Sequence, residues 1–475
     1  MQGIKENKTR SEQVRQVNNT LITILLTVTQ CLLKSSLIIS TYLFIIWLLF
    51  ADAQAQDNLP TLTNSKTLLN YNTAYTLDDK RLSLSRFTLE WSTRMHLGAN
   101  WNAHFELFAE LADDDVGLGG SDNFAHFSQA LIDNKYARLG FSQFLLTWRK
   151  GKNTVDLGKQ VVPWGLLDGV QVSDRFDPVR RRDFVFAQVK PERLARWGVR
   201  WRTRLSSWQV DSALVFDGTV SQQATLGSEF QLTAPRYVAG LELSQLGNDI
   251  SLKLKSDERN HTLSQSTLGM RLSRHLGAGE FSLLGFRGPD TEPVLSLSTP
   301  TNQLLTINLH YPRRNVIALN YDFSEGSAVW RLEAAYIPDQ TFNIKSSQGM
   351  LLSQGARSLF GMGLDWQTSK QLFINAQIVV DYIDLPKNQL FRPKTDSILT
   401  LRIQRPFFNQ RLLLKTELIA SLNQHDGVLR PGFSYELSDN SKLNGGLDWA
   451  VGDLDGQFGQ FKNASRLWLG LSYAF

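Results

Sequence analysis

Apolar and polar side chains alternate with period two along most of this chain. In RFTLEWSTRMHL (86–97), Phe87, Leu89, Trp91, Thr93, Met95 and Leu97 share one face, and Arg86, Thr88, Glu90, Ser92, Arg94 and His96 share the other. WNAHFELFAELA (101–112) repeats the pattern after a short Gly98-Ala99-Asn100 link. Successive side chains of a strand point to opposite faces, so each segment has one oily and one polar side. Similar runs of about 8 to 12 residues recur to the C-terminus, and none holds a helical period. The chain closes on SRLWLGLSYAF (465–475), with Leu467, Leu469, Leu471, Tyr473 and Phe475 at every second place.

The links between these runs are of two kinds. Ser206-Ser207, Gly247-Asn248, Gly277-Ala278-Gly279 and Asp439-Asn440 are very short, whereas longer connections fall near 113–132, 161–194, 218–235, 338–357, 383–396 and 452–464. Short turns at one rim and long loops at the other predict an all-β fold, a transmembrane antiparallel up-and-down barrel of the outer-membrane kind. Aromatics at the ends of apolar faces, among them Trp91, Trp101, Trp366 and Tyr473, suit interfacial girdles. Both termini belong on the short-turn side, so the strand number is even. Treating VLSLS (294–298) as a short strand gives 22, within a range of about 18–22.

Composition narrows this further. Apolar residues are only 42% of the chain, which excludes a polytopic helical membrane protein, while aromatics reach 11% with 12 Trp. The one long apolar stretch, 20–50, is interrupted by Lys34 and followed by Ala51, Ala53 and Ala55. It reads as a secretory signal ending near residue 55, with an over-long N-terminus that a later start codon would explain. A membrane anchor is the alternative. The barrel domain is then 56–475. Cys31, the sole cysteine, lies in the removable part, so no disulfide or thiolate site is expected in the mature chain. Removing 1–55 takes away five basic and three acidic side chains and leaves a net charge of +3, too balanced to argue for nucleic acid.

The polar faces predict a hydrated lumen braced by cross-strand pairs. The Ser206-Ser207 turn sets Arg202 opposite Asp211, and a Gly247-Asn248 turn would set Glu242 opposite Lys253. The region 157–198 departs from alternation and carries Lys159, Arg175, Arg180, Arg181, Arg182, Arg193 and Arg196, with acids between them. Such a loop could fold inward as an anion-favouring constriction, lie outward against lipopolysaccharide phosphates, or simply close the barrel as a salt-bridged loop.

Other chemistry is sparse. Arg94 should face His104 with Glu106 diagonal and Ser92 nearby, a grouping a barrel hydrolase could use but that a polar wall also supplies by chance. Asp113-Asp114-Asp115 could bind calcium between loops or be a solvated tip.

The string GKQVVPWGLLDGVQVSDRFDP (158–178) resembles the G-[RK]-Q-x-x-x-W-G-x-x-D…D-x-x-[ND]-P signature of proteobacterial outer-membrane proteins of the porin-like and alginate-export type. INLHYPRRNVIALNYDFSEGSAVWRLEAAYIPDQTF (307–342) is similar in layout to a stretch of the same group, with Arg313-Arg314 where an acidic pair is usual. The resemblance implies a barrel in the outer membrane of a Gram-negative bacterium that exports or admits small solutes or polymers, and the basic loop makes anionic ones the candidates. It implies no catalytic residues, metal or cofactor. An outer-membrane hydrolase or a surface adhesin on a filled barrel is the alternative function. Expected partners are outer-membrane lipid and lipopolysaccharide, the barrel-assembly machinery, for which Leu471, Tyr473 and Phe475 resemble the terminal recognition signal, and an inner-membrane exporter.

Overall fold

A computed structural model describes residues 61–112, 123–184, 192–225, 227–241, 251–256, 262–298, 304–347, 349–368 and 371–475. The expected signal segment, 1–55, lies outside them. Eighteen strands run in chain order: β1 (Thr61–Thr76), β2 (Arg81–His96), β3 (Trp101–Ala112), β4 (Ala137–Lys150), β5 (Asn153–Gln160), β6 (Arg196–Leu205), β7 (Trp208–Val215), β8 (Thr267–Leu276) and β9 (Gly279–Pro289). They continue as β10 (Arg313–Glu325), β11 (Ala328–Ser346), β12 (Gly349–Gln367), β13 (Phe373–Asp384), β14 (Thr395–Phe407), β15 (Leu412–Ser421), β16 (Asp426–Ser438), β17 (Ser441–Val451) and β18 (Arg466–Ala474).

Each strand pairs antiparallel with the next, and β18 pairs back onto β1 from Leu68↔Ala474 to Thr76↔Arg466. The sheet therefore closes and leaves no edge. Closure is what lipid demands, because a backbone amide or carbonyl facing hydrocarbon has no water to bond. Outward positions carry the oil: Leu214, Leu283, Ile317, Leu319, Phe360, Trp449, Leu467 and Tyr473 are exposed. Their alternate neighbours Val215, Leu284, Val316, Ala318, Leu359 and Ala450 are buried inside. A closed cylinder with this surface is a transmembrane barrel of the outer-membrane type.

The links confirm the two-rim pattern. One rim has only turns of two to five residues, such as 151–152, 206–207, 277–278, 326–327 and 368–372. The other carries the long connections 113–136, 161–195, 216–266, 290–312 and 452–465.

The count of 22 is corrected to 18, and the four strands lost are 236–246, 249–256, 294–298 and 304–311. Pro235–Val238 is one helical turn ended by Ala239 at φ +53°. The other three form a small separate sheet, with Ser251–Ser256 parallel to Leu304–His310 and Val294–Leu297 antiparallel to it. Alternation marks a strand with one buried face, but Leu295 and Ile307 bury theirs against Ala239 and neighbours in a separate cluster. The same pattern serves either setting. Lys253 consequently pairs in register with Thr306, so it is not one side of a lumen hairpin. Glu242 and the Gly247-Asn248 turn lie outside the described residues. The expected long link at 338–357 is also corrected: β11 and β12 keep pairing to Ser346↔Gly349 and form an extended hairpin.

Candidate functional site: an inward loop and the cavity beside it

The described parts of the 161–195 connection, 161–184 and 192–195, fold into the barrel. Val162, Trp164, Leu167, Val172 and Phe176 form one buried cluster with inward residues of β7, β9, β10, β11, β12 and β13. Glycines make room for it. A Cβ at Gly361 or Gly363 of β12 would collide with the methyls of Leu167, and one at Gly269 of β8 would meet the Trp164 and Phe176 rings. The Trp164 indole donates to Asp211 at 3.0 Å, and Asn320 donates to the Trp164 carbonyl at 2.8 Å.

Glu333, on β11 and almost wholly buried, is the main anchor on this side. Its carboxylate accepts from the backbone amides of Leu166, Leu167 (2.8 Å) and Ser173 (2.9 Å) and from the Ser173 hydroxyl (2.9 Å). A single acid thus satisfies three amides that a non-repetitive loop would otherwise bury without partners.

The basic residues hold the opposite side. Arg182 forms a fork on Glu110 of β3 at 2.6 and 3.3 Å, and Arg86 of β2 bridges Glu110 at 3.3 Å and Asp183 at 2.7 Å. Burial alone would raise the Asp183 carboxyl, but Arg86 and Arg182 outweigh it and hold it well below the usual carboxylate range. Arg180 pairs with Glu192 at 3.0 Å, Arg181 with Glu292 at 3.3 Å, and Arg193 with Asp174. Arg196 reaches Asp177 at 3.5 Å and the Phe176 carbonyl at 2.7 Å. Burial pushes Asp177 up to about 6 despite Arg196.

Seven basic residues were singled out from sequence, and five of them are therefore tied to acids. Lys159 shares its register position with Trp197, opposite in parity to Gln160 and Arg196, and its ammonium donates to the carbonyls of Phe141 (2.7 Å) and Ser128 (3.3 Å). It does not line the cavity. Arg175 forms no direct ion pair among the described residues, although Asp381 and Asp290 lie near enough to act on its charge, and it does line the cavity.

That cavity, about 410 Å³, lies between the loop, the β11–β12 hairpin, the small sheet and the 216–241 segment. Arg236 of this segment pairs with Asp396 at 2.5 Å, and Asp426 of β16 takes the Phe458 and Gly459 amides of the last long connection at 2.6 and 3.0 Å. Several of the long connections therefore enter the lumen at the long-loop end.

Toward the short-turn rim the wall carries lateral ion pairs instead. Arg202 stands opposite Asp211 in the register, as the turn predicts. The contacts, however, are diagonal: Asp211 takes Arg200 at 2.5 and 2.8 Å, and Arg202 takes Asp156. Strand twist and long side chains favour such diagonals. His104 lies opposite Arg94 as expected. Its Nε2 meets Glu106 at 3.0 Å and its Nδ1 the Thr93 carbonyl at 3.1 Å, so both ring nitrogens face oxygens and neither contacts Ser92.

Glu333 and Glu110 were not singled out from sequence, and Asp183 only as one of the acids between the basic residues. The inward parity of β11 and β3 and the glycines at 361 and 363 were the available signals.

These features define the class: an 18-stranded outer-membrane barrel whose lumen is partly filled by its own long loops. No family model and no curated protein matches the chain. Among solved structures it is similar to OccAB1 of Acinetobacter baumannii, at 8% identity over 88% of this chain and 96% of that one, with a TM-score of 0.49. It is similar to OccK8 (OprE) of Pseudomonas aeruginosa, at 8% identity over 86% and 97%, TM-score 0.48. An anion-selective porin from Comamonas acidovorans is similar at 13% identity over 88% and 100%, TM-score 0.39. All three scores are below 0.5, and the barrel assignment rests on this chain's own strand pairing and surface.

Proposed function

We propose that the protein is an outer-membrane channel for small anionic solutes, non-catalytic, with the inward 161–195 loop as its constriction. The observation that carries this reading is a closed barrel with an ion-paired wall and an inward loop bound to it on both sides. Five arginines against four carboxylates around the cavity favour anions over cations. The similar porin from Comamonas acidovorans is described as anion-selective, which agrees with this direction. An export role alongside an inner-membrane partner fits the same lumen. Leu471, Tyr473 and Phe475, exposed on the lipid side of β18, serve as the assembly signal, with lipopolysaccharide surrounding the long-loop rim.

Planar-bilayer recording tests the channel. Stepwise openings with a reversal potential favouring anions are expected, and replacing 163–194 by a short Gly-Ser linker should raise conductance and flatten selectivity. A silent barrel in both forms overturns the reading.

A further inference from the structure

The Arg313-Arg314 pair splits across the wall. Side chains of β10 alternate, so Arg314 turns inward onto Asp290 at 3.1 Å, while Arg313 is exposed on the lipid side. Its Nη1 donates to the Ser264 carbonyl at 2.6 Å, and it meets no acid among the described residues. Arg287 of β9 also points outward and is exposed, with no side-chain hydrogen bond or ion pair among the described residues. It stands opposite Asn315, and Pro289 stands opposite Arg313. The two arginines are thus diagonal neighbours with backbones about 7–8 Å apart, close enough to repel each other. Asp339, on the same face, is taken by the backbone and side-chain amides of Asn315.

Their depth follows from β10. From the short-turn rim upward its outward residues are Phe323, Tyr321, Leu319, Ile317, Asn315 and Arg313. Phe323 stacks between Tyr321 and Trp330 and marks the lower aromatic girdle. Arg313 is ten residues from Phe323, which at ~3.3 Å per residue and a tilt of about 40° sets it roughly 25 Å higher. That is the height of the apolar band, so both guanidinium groups reach the headgroups of the outer leaflet.

Below Arg287 the outer face has a notch. Gly285 stands between Met270 of β8 and Ile317 of β10, both exposed. A Cβ there would meet nothing nearer than the Val316 carbonyl oxygen at 3.6 Å, so packing does not require the glycine. A glycine inside a strand is also where a ligand can approach closely.

We propose that Arg287 and Arg313 bind a phosphate of lipopolysaccharide, the glycolipid of the outer leaflet, with one of its acyl chains in the Gly285 notch. Arginine forks suit phosphate oxygens, and the nearly double charge of a phosphate monoester suits two cations. A neutral lipid would leave the two charges facing each other. The site lies on the outside of the barrel and does not depend on conduction.

Native mass spectrometry of the full chain in non-ionic detergent, titrated with deep-rough lipopolysaccharide, is the test. Phosphatase-treated lipopolysaccharide and phosphatidylglycerol should each bind at least about tenfold more weakly. Arg287→Gln combined with Arg313→Gln should weaken lipopolysaccharide at least about tenfold and leave the phosphatase-treated lipid unchanged. Gly285→Leu, which fills the notch, should weaken both forms of the lipid about threefold. Lipopolysaccharide binding unchanged in the double variant, or equal affinity for phosphatidylglycerol, would overturn the site, and full affinity in Gly285→Leu would overturn the acyl-chain placement. Because both arginines face lipid, conductance of the double variant should match the parent, and a silent barrel that still binds the lipid rejects the channel and leaves this site standing.

Discussion

The two halves of the lumen use the same chemistry at different depths. Near the short-turn rim, Arg331–Asp365, Arg271–Glu280 and Arg402–Glu417 are partly hydrated, their arginine side chains 21–27% exposed. At the long-loop end, Arg182–Glu110 and Arg314–Asp290 have arginines only 3–4% exposed. Water screens the first set, so each pair braces the wall weakly and leaves the lumen wet. The second set cannot exchange its partner for water, so each pair fixes a loop in place. Arginine–carboxylate pairing by itself is thus no evidence of a constriction. Depth decides what the pair does.

Breaking a deep pair should have the largest effect. Glu110→Ala leaves Arg86 and Arg182 facing each other without their shared carboxylate. A loss of about 3–5 kcal/mol is expected in urea unfolding from detergent, together with a noisier, larger conductance as the loop loosens.

Acid–base behaviour gives a middle-sized effect. Asp177 titrates near 6 in the folded loop, above its ordinary value, so the folded form holds that proton more tightly than the unfolded chain does. Its favourable contribution is complete below about pH 4 and is lost as pH rises through about 6. Unfolding midpoints measured from pH 4 to 8 should fall over that interval, and Asp177→Asn should flatten this part of the curve. An unchanged slope in the variant would remove Asp177 from the account.

The smallest change should come from the hydrated wall. Arg402→Gln is expected to cost about 0.2–1 kcal/mol with single-channel conductance nearly intact. An effect as large as that of Glu110→Ala would abolish the distinction between the two halves.

Much of the barrel was legible because period two and turn length are local properties. The hairpin around Ser206-Ser207 and the final strand through Tyr473 follow from them directly. The segments 249–256 and 304–311 misled for the same reason. Alternation reports that one face is buried and carries no address for what buries it. Likewise, the basic loop was visible as composition, while the separation of Arg175 from its paired neighbours was not.

The amino-acid order alone determined that the chain forms strands with one oily face, joined by short turns at one rim and long loops at the other. It thereby determined that the strands close into a membrane barrel of even number. Only the tertiary structure decided which alternating segments joined the wall, that the 161–195 loop lies inside, and that Glu333 and Glu110 hold it. The physical reason is range: side-chain parity acts between neighbouring residues, whereas the Glu333–Ser173 and Glu110–Arg182 contacts join residues 160 and 72 apart in the chain.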